Sequence, residues 1–92
     1  MIPPSSKRFG EALIDLLRED DLYVTSTGKV NLRAFAQELE GCPYHSLRRA
    51  VVGDRPATVE LMEECARALR VRPDYFADYR EAKVREGSPA AA

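Results

Sequence analysis

The sequence contains no tryptophan, one histidine, His45, and only two cysteines, Cys42 and Cys65. Two isolated thiols cannot staple a small scaffold and lack the close pairing of a zinc site, so reduced cysteines and no bound metal are expected. With no glycine-rich phosphate loop and no cluster of ligands or acid–base groups either, the chain is expected not to be an enzyme and to carry no cofactor. No apolar run approaches the roughly 20 residues that cross a bilayer, and the opening Met-Ile-Pro-Pro-Ser-Ser lacks the apolar stretch of a secretory signal. A cytoplasmic protein with no membrane partner is expected. Net charge is also lacking: 14 Lys and Arg stand against 15 Asp and Glu, for a formal charge of −1. Any electrostatic attraction to a polyanion must then come from where the arginines sit, because fields are screened over about 8–10 Å at ordinary salt.

What is present is a chain of 92 residues, 45% apolar and 32% charged, enough for one domain with a modest core. At this size a second copy would add useful burial. The ordered domain is expected over residues 6–85, between a loose N-terminus at 1–5 and a small-residue tail at 86–92. Phe9, Leu13, Leu16 and Leu17 recur at the spacing of one helical face, which predicts a first helix over 6–19 with Ser6 as its cap. Residues 20–30 combine the β-prone Leu22-Tyr23-Val24-Thr25 with the turn chemistry of Ser26-Thr27-Gly28, giving a loop or a tiny hairpin.

Asn31 is a good N-cap for a second helix over 32–40, whose Leu32, Phe35, Ala36 and Leu39 share a face before Gly41 ends it. Pro43 suits the first turn of a third helix over 43–51, with Leu47, Ala50 and Val51 turned inward. Thr58 caps a fourth helix in which Leu61 or Met62, Cys65 and Leu69 face the core. Pro73 and Asp74 open a fifth, carrying Phe76 and Tyr79 and running to about Arg85. The expected fold class is all-α, a five-helix domain.

Two short helices joined by a glycine-containing turn and followed by a third amphipathic helix form a helix-turn-helix, whose second member enters the DNA major groove. A helix of eight or nine residues is stable only when packed on its neighbours, and packing leaves one face bare. On 43–51 that face carries Tyr44, His45, Arg48 and Arg49, suited to base edges, since arginine pairs bidentately with guanine. His45 reads as a groove or surface residue, not a catalytic base.

Several segments together resemble the helix-turn-helix of the lambda repressor, Cro and Xre family. They are Phe35-Ala36-Gln37-Glu38-Leu39, Gly41-Cys42-Pro43-Tyr44-His45-Ser46-Leu47-Arg48-Arg49, Gly53-Asp54-Arg55-Pro56-Ala57-Thr58, Cys65-Ala66-Arg67-Ala68-Leu69-Arg70-Val71 and Pro73-Asp74-Tyr75-Phe76. The resemblance covers about residues 30–80. It implies a sequence-specific double-stranded DNA binder, a transcriptional regulator of repressor type, with 43–51 as recognition helix. It also implies phosphate contacts from Asn31, Arg33 and Arg55. The chain departs from the family pattern at Glu40, an extra residue that would turn the recognition helix, and at Val51-Val52, where polar residues are usual.

A homodimer reading two half-sites is expected, because one helix reads too few base pairs to stand out in a genome. The competing expectation is a protein-interaction or antitoxin-like module on the same helices, whose near-neutral charge needs no DNA. Tyr75 and Tyr79 on the last helix would then anchor a dimer or partner, while Phe76 closes the domain's own core. Cys42 beside Pro43 would respond to oxidants only if exposed near positive charge.

Overall fold

Phe9, Leu13, Leu16 and Leu17 do share a buried face. In a computed structural model, which describes residues 3–87, they lie on helix α1 (Phe9–Arg18). The expected start at residue 6 with a Ser6 cap does not form. Ser5 is instead tied down, its N–H donating to Tyr75 O (3.0 Å) and its Oγ accepting from Lys7 N–H (3.1 Å). Arg8 is extended at the N-cap position with no side-chain cap, and the Phe9 N–H donates to Asp78 Oδ2 from the far end of the chain. This lead-in holds residues 5–8 out of helical geometry.

Residues 20–30 take the hairpin alternative. Asp20 caps a 3-10 turn at Asp21–Tyr23 through the Leu22 N–H (3.0 Å), and Val24 pairs antiparallel with Val30 around a turn closed by Gly28 (φ 83°). Tyr23 drops from this hairpin into the core, its ring edge-on to Phe35 at 5.2 Å.

Asn31 caps helix α2 (Leu32–Ala36) as expected, accepting from Ala34 N–H at 3.0 Å. The helix stops four residues early. Glu38 and Leu39 donate to Phe35 O and Ala36 O (2.9 and 3.1 Å), three residues back instead of four, so the chain tightens into turns that still bury Leu39. Gly41 follows in the left-handed region (φ 72°). Helix α3 (Tyr44–Val52) begins one residue later than expected: Pro43 has an extended ψ of 154° and serves as N-cap. Gly53 (φ 91°) ends it, accommodating a backbone that a Cβ disfavours.

Thr58 caps α4 (Val59–Leu69) through Leu61 N–H at 3.1 Å, and of the two inward candidates it is Met62 that is fully buried. The fifth helix is divided. Pro73–Tyr75 make a 3-10 turn, Phe76 is extended, and α5 (Ala77–Gly87) starts after it. Leaving helical geometry lets Phe76 sink fully into the core, where its ring lies 5.0 Å from Phe9 and 5.5 Å from Tyr75. Arg80 locks the junction by donating to Asp74 O, Tyr75 O and Ser5 O. The tail expected at 86–92 lies, from residue 88 on, outside the described residues, as do the first two residues.

The fold is therefore all-α, with five α-helices among the described residues around one core. Phe9, Phe35 and Phe76 with Leu13, Leu17, Leu47, Met62 and Cys65 form its fully buried centre. Each such apolar side chain contributes about 1.5–3 kcal/mol over exposure, which is what allows helices this short to persist. Helix α1 packs on α3 and α4, α2 packs on α3, and α5 packs on α4. The α1–α3 approach is very close: a Cβ at Gly10 would lie 1.9 Å from Val51 O, so only glycine allows it. Among the described residues no helix is long and apolar enough to cross a membrane.

Candidate nucleic-acid interface

Helix α3 is fixed by its inner face. Leu47 and Ala50 are buried and Val51 is half-buried, held by α1 on one side and α2 on the other. At about 100° per residue, the outward positions form two adjacent rows, while half-buried Ser46 lies beyond them on the side of the first turn of α4. Tyr44, Arg48 and Val52 make one row; His45 and Arg49 make the next. His45, Arg48, Arg49 and Val52 are all exposed. Val52, 57% exposed, is the one aliphatic side chain in this polar face.

Tyr44 differs from its neighbours. It is half-buried against the core, and the Arg33 guanidinium from α2 lies 4.6 Å over its ring. Tyr44, expected at bases, and Arg33, expected at phosphate, thus engage each other and join α2 to α3. Asn31 is exposed, but its side-chain oxygen is occupied by the α2 cap. Arg55 stands exposed in the turn after α3. Among the described residues, the ion pairs are Lys7–Asp15 and Arg72–Asp74, so none neutralises Arg33, Arg48, Arg49 or Arg55. The arginines of α3 and the following turn thus stand exposed without an ion-pair partner among the described residues, in a chain whose total charge is near zero.

A shallow cleft of about 280 Å³ flanks this face between the turn before α3 and the start of α4. Glu40, Glu60 and Glu64 line it together with Cys42 and Arg55. Glu40 is exposed at the rim of this cleft. Cys42 is half-buried, and burial, then the Glu64 carboxylate, pushes its thiol up. That is opposite to what a reactive thiolate needs. Among the described residues no three acidic, histidine or cysteine side chains gather as metal ligands.

The aromatic residues of the last segment are engaged within the domain. The Tyr79 hydroxyl donates to Glu63 Oε2 at 2.9 Å, and Lys83 lies 5.9 Å over the Tyr79 ring. Tyr75 is half-buried against Phe76. Three features of the site escaped sequence reasoning: the close approach at Gly10, the cap from Asp78 and the exposure of Val52. A valine at the end of a helix carries no signal of its own. For Val52 the four-residue spacing from Arg48 was the available clue.

Comparison with protein-family profiles, with characterised proteins and with solved structures finds no match.

Proposed function

We propose that this domain binds double-stranded DNA sequence-specifically as a repressor-type transcriptional regulator, inserting α3 into the major groove as a member of the lambda repressor, Cro and Xre kind. The observation that carries the reading is the division of α3: Leu47 and Ala50 buried, His45, Arg48 and Arg49 exposed and unpaired with any described acid. Arg48 and Arg49 offer bidentate donors to guanine, His45 lies in the first turn where a recognition helix meets base edges, and Arg55 reaches phosphate. The domain acts as a cytoplasmic homodimer on two half-sites, without catalysis.

The decisive experiment is selection of bound fragments from random DNA at physiological salt. A palindromic motif with half-sites about one helical turn apart is expected, with log affinity falling by about 0.9 per phosphate neutralised as log salt rises. Arg49→Ala should relax preference at one position by about 1–3 kcal/mol. A protein-interaction module is the second reading, favoured by the carboxylates of Glu40, Glu60 and Glu64 around the cleft beside α3. Absence of any enriched motif, together with salt-independent binding, would decide for it.

A further inference from the structure

Beyond the end of α3 lies a second cleft, of about 360 Å³, between the start of α1 and the turn that follows α3. Arg8 lines it from one side and Arg55 from the other, although the two are 47 positions apart in the chain. Ala50, Val51 and Val52 form its wall on α3, with Gly53 in the turn beyond, and the carboxylates of Glu11 and Asp78 also border it. Both arginines are exposed, and neither is paired with a described acid. Asp78 is committed to the Phe9 N–H, so the first amide of α1 is already taken and the attraction for an anion rests on the two guanidiniums. The position of Arg8 is rigid at the backbone, because its carbonyl accepts the Ala12 N–H at 2.9 Å and Gly10 is wedged on Val51.

We propose that Arg8 and Arg55, which line one cleft beside the end of α3, together hold the DNA backbone there and extend the interface from α3 onto the start of α1. The inference rests on the DNA-binding reading above, to which it adds a surface that the helix-turn-helix segment does not contain. Guanidinium is the suitable group, presenting a planar fork of donors to phosphate oxygens. Because Val52 belongs both to the outward face of α3 and to the cleft, a duplex seated on that face passes its backbone over the two arginines. Contacts of this kind position the protein without reading sequence.

The test compares wild type, Arg8→Ala and Lys7→Ala on the selected DNA site and on a scrambled duplex, each across a salt series. Lys7 is the control, a neighbouring cation already held by Asp15 at 2.6 Å. Arg8→Ala should weaken both duplexes by the same factor and lower the salt slope by about one, so that its defect shrinks about 3.5-fold between 50 and 200 mM salt. Lys7→Ala should keep the wild-type slope. Since the Arg8 side chain makes no cap, thermal melting should match wild type and exclude misfolding as the cause. A wild-type slope for Arg8→Ala, or an equal loss from Lys7→Ala, overturns the assignment while leaving the DNA reading intact. Titration with inorganic phosphate separates the remaining source: if Arg8→Ala weakens phosphate binding but not DNA binding, the cleft serves a free anion and the proposal fails. Wild-type protein that binds neither duplex removes both readings.

Discussion

The carboxylate of Asp78 on α5 accepts the backbone N–H of Phe9, the first residue of α1, at 2.9 Å across 69 positions of sequence. The N-terminus of a helix leaves its first amides unpaired and carries partial positive charge, so a carboxylate is suited to it wherever in the chain it originates. Here the cap also joins the two ends of the domain, and Arg80 reinforces the junction through Ser5 O. Replacing Asp78 with alanine is expected to cost about 0.5–2 kcal/mol in urea unfolding, the usual loss for an N-cap. Asp78→Asn should retain most of it, because its carbonyl still accepts. Equal midpoints for Asp78→Ala and wild type would show that the bond contributes nothing.

Gly10 leads to a prediction that couples stability to function. Alanine normally favours a helix over glycine by about 1 kcal/mol, yet here its Cβ would meet Val51 O at 1.9 Å, and a backbone atom cannot swing aside as a side chain can. The clash wins. Gly10→Ala should destabilise the domain by about 1–3 kcal/mol, the range for overpacking, and push α1 away from α3. Fragment selection with this variant should show a blurred motif even at temperatures where it remains folded. A stabilised variant would mean that the helices part without cost.

Cys65 sets the alkaline limit. Burial, with smaller contributions from Cys42 and Glu64, raises its thiol from the ordinary 9.0 to about 12. A folded-state pKa above the unfolded value means that the unfolded chain releases its proton first. The stabilising contribution is therefore complete below about pH 9 and is lost as pH climbs from there through 12. Urea midpoints should fall over that window. Tyr23, raised in the same direction chiefly by burial, adds to the fall. Cys65→Ala should flatten the decline, though it starts from a lower stability because it leaves a cavity. An identical pH profile in the variant would assign the fall to other groups.

How much of this was legible beforehand depended on whether the cause was local. The faces of α1, α3 and α4 follow from apolar spacing, and Asn31 and Thr58 cap the helices that follow them because their acceptors need only reach three residues on. Ser6 was the wrong cap for α1 because the competing acceptor, Asp78, is distant in sequence. The last helix divides at Phe76 for a tertiary reason, since a continuous helix would not bring that ring onto Phe9. On α3, His45, Arg48 and Arg49 stand exposed as their spacing requires, whereas Tyr44 does not, because α2 supplies it with a partner. Arg8 could not be associated with Arg55 until α1 was known to cross the end of α3.

That partnership of Tyr44 and Arg33 is the last to be tested. A guanidinium 4.6 Å above a ring at a partly exposed site is worth about 0.5–1 kcal/mol, and removing either group should remove most of it. A double-mutant cycle on Arg33→Ala and Tyr44→Ala, read by urea unfolding, should then return a coupling energy of that size. Because the pair bridges α2 and α3, its loss should also let α3 shift, so either single variant weakens the preferred DNA site more than a scrambled one. Tyr44→Phe preserves the ring and should bind as wild type does. If instead the coupling is nil and Tyr44→Phe alone erases one base preference, the phenol reads DNA directly and the contact with Arg33 is incidental.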